Sequence, residues 1–291
     1  MANLVTFSTG GRRRPGALRD GRVLDLEAGG LPGGAHGDLA AIVEGGGVAM
    51  DAVRALIAAW DGPDFALAEV ALHAPVARPS KVIGIGLNYI DHCREAGLDV
   101  PKFPVVFSKF STSVIGPNDD VIWYTDLTGA VDYEVELGVV IGRTAFRVAQ
   151  ADALDHVFGY TVVNDVSARD LQLRPPGQWD LGKSLDTTCP YGPGIVTADE
   201  IPDPQALDLR LRVNGVRKQG SNTSNMIFGV AQLIAFLSRG VTLLPGDLIA
   251  TGTPFGVGLG MKPPVYLRDG DVCEAEIDGI GALRNRIVAV K

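Results

Sequence analysis

Apolar side chains occupy every second position of Val131-Asp132-Tyr133-Glu134-Val135-Glu136-Leu137-Gly138-Val139, the pattern of a β-strand with one face turned to a core. Similar runs at residues 81–86, 159–164, 207–213, 247–251 and 272–277 predict further strands. Two helices stand out among them. Residues 149–158 end at Gly159, a suitable C-terminal cap, and residues 225–239 carry Met226, Ile227, Val230, Leu233, Ile234 and Leu237 on one face before stopping at Gly240. The strands are unevenly spaced and seldom alternate with helices. The pattern therefore predicts a β-rich mixed α/β fold with a rolled or sandwiched mixed sheet, not a doubly wound parallel one.

Residues 1–74 read as a small α+β domain, with strand runs at 4–7 and 22–26 split by glycine-rich turns. A helix follows, with Val53, Leu56, Ile57 and Trp60 at helical spacing and Asp51 as its expected cap. Residues 73–79, with two prolines, read as the linker to a larger domain at 75–291. No repeat is evident.

Strand alternation puts Glu134 and Glu136 on one face, and Asp165 ends the next strand run. Like charges on neighbouring same-face positions repel, so a cation is expected between them. Three carboxylates from two strands suit Mg²⁺ or Mn²⁺. The strand pattern equally allows a solvated outer face, neutralised by Lys or Arg on the next strand. Asp132 shares that face and has no assigned role.

Composition narrows the classes. The 291 residues are 46% hydrophobic and 21% charged, ordinary for a soluble globular protein. The 37 glycines are close to double the usual share and favour tight turns over a helical bundle. A net charge of −8 argues against a nucleic-acid partner. No apolar run approaches the roughly 18 residues of a membrane span, and the start of the chain lacks a signal-like apolar core, so no membrane partner and a cytoplasmic location are expected. Cys93, Cys189 and Cys273 stand far apart and form neither a disulfide framework nor a zinc motif.

Several motifs bear on chemistry. Gly84-Ile85-Gly86 lacks the third glycine and the context of a dinucleotide fingerprint. Thr251-Gly252-Thr253-Pro254 is no phosphate loop; the Gly252 amide and Thr253 can cradle a carboxylate, and a structural turn fits the segment equally well. No Gly-x-Ser-x-Gly is present. If residues 90–96 form a helical turn, His92 and Glu95 share a face, the pairing that fixes a tautomer and raises imidazole basicity, although a plain surface pair has the same spacing. Arg169 and Gln172 follow Asp165 on the next turn, and Arg169 can fork onto a carboxylate. Lys183 taken alone is unremarkable.

Taken in order, Asn88-Tyr89-x-x-His92-x-x-Glu95, Glu134-x-Glu136, Asn164-Asp165-Val166-Ser167-Ala168-Arg169-Asp170-x-Gln172, Gly182-Lys183-Ser184 and Thr251-Gly252-Thr253-Pro254 resemble the fumarylacetoacetate hydrolase family, in its shorter acylpyruvase-like branch. The resemblance covers about residues 79–288. It implies Glu134, Glu136 and Asp165 as ligands of one Mg²⁺ or Mn²⁺ ion, and His92 with Glu95 as a catalytic dyad on a mobile lid. It further implies Lys183 as the active-site lysine and Arg169, Gln172 and Thr253 as substrate contacts. Longer members carry an acidic ligand where this chain has Asn88, so three protein ligands are expected. The implied activity is hydrolysis of a C–C bond in a 2,4-diketo acid to pyruvate and a carboxylic acid. His92 would activate water, with Lys183 countering enolate charge. Oxaloacetate decarboxylation and isomerisation of 2-hydroxyhepta-2,4-diene-1,7-dioate use the same scaffold, and a non-catalytic metal-binding role is the remaining alternative. The segments Gly177-Gln178-Trp179 and 258–267 are most similar to members acting on 2,4-diketo-3-deoxy sugar acids, with maleylpyruvate and fumarylpyruvate hydrolases as rivals. A homodimer is expected from the same resemblance.

Overall fold

Every residue of the strand Val135–Ile141 is buried, so the alternating run at its start is covered on both faces, which rules out the solvated-face reading. The computed structural model describes residues 3–177 and 179–291, apart from the side chain of Ala96. Met1, Ala2 and Gln178, which entered the sequence reading, lie outside the described residues.

Among the described residues, Val135–Ile141 sits inside a 12-stranded mixed sheet. On one side it pairs antiparallel with Val157–Asn164, which pairs in turn with Cys189–Thr197. On the other side it meets Leu248–Ala250, which runs parallel to Val82–Gly86. The start of Val135–Ile141 thus lies beside the ends of both its neighbours. A second sheet of five strands, built from residues 121–124, 208–222 and 272–290, packs its buried Leu209, Leu211, Ala275, Ile277 and Leu283 into the main core. The mixed, β-rich, layered architecture expected from the pattern is the one observed.

The strands Asn3–Ser8, Arg14–Arg19 and Arg22–Asp25 extend the same sheet through the pairing of Asn3–Ser8 with Cys189–Thr197. Leu4, Leu26, Ile42 and Val53 share one apolar cluster with Val82, Val140, Tyr191 and Leu248. The segment 73–79 is tied down: Tyr191 Oη bonds both the amide and the carbonyl of Val76, and the Ala77 amide donates to Asp38.

Three expected elements differ. The helix of the first 74 residues begins at Ala40 and bends at Gly46, whose φ of 55° breaks the helical path. Asp51 is therefore inside the helix and caps nothing. Residues 149–158 form only a 3₁₀ stretch, Gln150–His156, because Val157 and Phe158 already belong to the buried strand Val157–Asn164. The helix expected at 225–239 is Val230–Ser238: the Ile227 and Phe228 amides bond to Asn88, holding the chain non-helical up to the cap Gly229. Its buried Val230, Leu233, Ile234 and Leu237 pack as the periodicity predicts. No helix among the described residues is long and apolar enough to cross a membrane.

Candidate metal and proton-transfer site

Strand pairing brings the carboxylates together. Val135 is opposite Asn164, the Asn164 side chain accepts from the Glu134 amide at 3.0 Å, and the Asp165 amide donates to the Glu134 carbonyl at 2.9 Å. Glu134, Glu136 and Asp165 are buried, each with a carboxylate oxygen within 4.8 Å of the others. Their cationic surroundings are uneven. Lys183 Nζ lies 2.7 Å from both Glu134 and Asp165, Arg169 lies 2.6 Å from Glu134, and Lys109 lies 2.8 Å from Asp165. Among the described residues, Glu136 accepts the Gly252 amide, at 2.7 Å, and forms no ion pair within 4 Å.

That contrast sets the electrostatics. Burial raises the Glu134 pKa, but Lys183 and Arg169 outweigh it and hold the group at about 2. For Glu136, burial first, then the Asp165 and Glu134 charges, outweigh the opposing pull of Lys183 and push its carboxyl well above the usual range. Burial also works against the Lys183 charge, yet Asp165 and Glu134 more than compensate and raise its pKa. A buried carboxylate short of positive charge, with two further carboxylates within 4.8 Å, fits a hard divalent cation. The donor set suits Mg²⁺ or Mn²⁺, which take several oxygen ligands and accept water or substrate at the rest.

Gly252 has φ 101°, and a side chain there would press on Asn88, so a glycine is needed to aim its N–H at Glu136. Asn88 donates to the carbonyls of Thr251 and Phe228 and accepts the Phe228 amide. Its amide is fully occupied in joining loops. Among the described residues the cluster has three carboxylate members.

The second half of the site stands on the seven-residue helix Ile90–Ala96, which follows the strand Val82–Gly86. His92 Nδ1 and Glu95 Oε2 are 3.4 Å apart, and both Glu95 oxygens accept the Gly256 amide, at 3.0 and 3.1 Å. The His92–Glu95 pair, Glu134, Glu136, Lys183, Arg169, Gln172 and Thr253 all line one cavity of about 640 Å³. Asp165 lies behind them in the carboxylate cluster, and Gly252 reaches the site through its amide. Thr253 Oγ1 donates to the Val135 carbonyl and accepts from Gln219, while Gln172 accepts from Arg169.

Two charged groups escaped the sequence reading. Asp132, unassigned there, accepts Arg169 Nε at 2.9 Å and the Gly258 and Leu259 amides at 2.7 and 3.0 Å. It orients Arg169 and anchors the loop roofing the cavity; its place on the Glu134–Glu136 face was the available signal. Lys109 is buried at the end of the strand Val105–Lys109, where it also donates to the carbonyls of Val166 and Lys183. A lysine closing an apolar strand gives no local sign that it reaches a carboxylate 56 residues further along the chain.

Residues 81–288 match the family profile described as Fumarylacetoacetate (FAA) hydrolase C-terminal. The chain is 50% identical over 221 residues to the mitochondrial oxaloacetate tautomerase FAHD2A of Homo sapiens, covering 76% of this chain and 70% of that protein. The solved maleylpyruvate hydrolase from Sphingobium sp. SYK-6, in complex with manganese(II) and pyruvate, superposes with a TM-score of 0.83 at 32% identity, covering 99% and 100% of the two chains. The 2-hydroxyhepta-2,4-diene-1,7-dioate isomerase from Mycobacterium marinum gives 0.77 at 34% identity, covering 99% of each.

Proposed function

Because this chain belongs to the fumarylacetoacetate hydrolase family, we propose that it is an enzyme that moves a proton at the carbon next to the keto group of a 2-keto acid, with keto–enol tautomerisation of oxaloacetate as its reaction. The observation that carries this reading is the opening of the carboxylate cluster and the His92–Glu95 pair onto one cavity. Glu134, Glu136 and Asp165 would hold a Mg²⁺ or Mn²⁺ ion, which would supply Lewis acidity toward the bound keto acid.

The chain's own groups do the rest. Glu95 accepts a hydrogen bond from His92 Nδ1–H, which leaves Nε2 as the basic nitrogen that takes the proton from the substrate carbon and delivers it to the keto oxygen, or carries it the other way in the reverse reaction. Lys183 places a fixed positive charge where enolate charge develops. Arg169, held by Asp132 and Glu134, offers Gln172 a fixed position at the cavity wall. The 50% identity to a protein named oxaloacetate tautomerase supports this reading.

The second reading is hydrolysis of a 2,4-diketo acid to pyruvate and a carboxylic acid. The dyad favours it, since a Glu-supported imidazole can equally deprotonate water, and the similar maleylpyruvate hydrolase is described with pyruvate. The test follows enol oxaloacetate spectroscopically, and pyruvate release from acylpyruvates, with the protein loaded with Mg²⁺ or Mn²⁺. Metal-dependent enol decay without diketo-acid cleavage supports the tautomerase. Pyruvate release alone selects the hydrolase, and inactivity in both assays with either metal rejects both.

A further inference from the structure

The inner cations of the cavity are all engaged. Arg169 is held by Asp132, Glu134 and Gln172, and Lys183 by Glu134 and Asp165. They are committed to the end of the cavity where a 2-keto acid's first carboxylate and keto oxygen would lie. Two other cations line the same cavity. Arg94 stands in the last turn of the helix Ile90–Ala96, and Lys262 follows the 3₁₀ turn Gly258–Gly260. Both are exposed, and neither has a carboxylate partner among the described residues.

Their segments are fastened to each other. Glu95 accepts the Gly256 amide with both oxygens, and a side-chain carbon at Gly260 would sit 2.6 Å from the Glu95 carboxyl carbon. The contact that orients His92 thereby also sets the Arg94 segment against the Lys262 loop. Leu87, Leu98, Leu173 and Met261 supply apolar lining to the cavity. At about 640 Å³ the cavity is within the size range of ligand pockets and has room beyond a single 2-keto group. On a chain of net charge −8, two unpaired cations at one concave opening create a local field that favours an anion.

We infer that Arg94 and Lys262 form a second anion subsite, which selects 2-keto acids carrying a further carboxylate at the far end over those with a neutral end. This rests on the keto-acid reading proposed above and adds the residues that choose a doubly charged acid over a singly charged one. Arg94 and Lys262 are specificity residues: they take no part in proton transfer at the carbon beside the keto group.

The decisive comparison uses two five-carbon acids that differ only in the terminal group, 2-oxoglutarate and 2-oxopentanoate, titrated calorimetrically into the Mn²⁺-loaded full chain. Wild type is expected to bind the diacid more tightly, and raising NaCl should narrow the gap because exposed charges are screened. The Arg94→Gln/Lys262→Gln double variant is expected to weaken 2-oxoglutarate roughly tenfold while changing 2-oxopentanoate less than about twofold, the size of a charge-assisted contact in a partly solvated site. Arg94→Glu should invert the preference. Because both side chains are exposed, an unchanged melting temperature separates these effects from misfolding. Equal weakening of both acids, or no weakening of the diacid, overturns the subsite alone. Failure of wild type to bind either acid overturns the keto-acid reading and the subsite with it.

Discussion

The carboxylate cluster and the His92–Glu95 pair border one cavity but are built in opposite ways. Glu134, Glu136 and Asp165 are buried, with the Glu134 side chain 7% exposed, and their surrounding ion pairs and hydrogen bonds fall between 2.6 and 2.8 Å. The His92 and Glu95 side chains are 14% and 21% exposed, and their mutual contact is 3.4 Å, long for a hydrogen bond. The cluster rests on paired strands at the centre of a sheet, and the pair rests on a seven-residue helix closed by Gly97 in the left-handed conformation. Under the proposed function the difference separates two tasks. Strands with fixed register would hold the groups whose mutual distances set cation affinity. A short helix over the cavity would hold the group that approaches substrate, and such contacts commonly tighten only when substrate binds.

The comparison breaks most sharply if removing a cluster carboxylate spares function. Asp165→Ala is expected to abolish Mn²⁺ binding by calorimetry and to reduce turnover to background; chelation of wild type should do the same reversibly. His92→Ala should lower turnover by ~10²–10⁴ with Mn²⁺ affinity unchanged, as for loss of a general base. Metal loss in that variant would merge the two regions into one unit. Asp132→Ala leaves Arg169 Nε and two loop amides without their acceptor, and should destabilise the fold by about 3 kcal/mol in urea melts, the range for breaking a buried ion pair. Asn88→Asp removes donors to two buried carbonyls and should cost about 2 kcal/mol without tightening Mn²⁺ binding. A gain in affinity would show that a fourth carboxylate can join the cluster. The smallest effect is expected from Glu95→Gln, about tenfold in turnover, since the imidazole loses its anionic partner but keeps a hydrogen-bonding one.

Much of this site can be read from local pattern because strands translate sequence spacing directly into geometry. Alternation places Glu134 and Glu136 on one side, and helical spacing places His92 beside Glu95. Where two patterns compete, the sequence misleads. Residues 149–158 satisfy a helical reading until Val157 and Phe158 are claimed by the strand Val157–Asn164, whose burial outweighs local propensity. Asp51 satisfies the capping preference, but the helical turn that contains it already starts just after the bend at Gly46.

By itself the sequence determined which residues lie on common faces, the mixed β-rich class, and the set of carboxylates and imidazole available for chemistry. Only the tertiary structure decided that the Glu134–Glu136 face is buried, that Asp132 is the anchor of Arg169 and the roofing loop, and that Lys109 reaches Asp165. It also decided that Asn88 is fully occupied by backbone groups from two other loops. The division follows from range. Alternation and helical spacing act between residues a few positions apart. Burial and ion pairing depend on which distant strands become neighbours, and no local pattern carries that information.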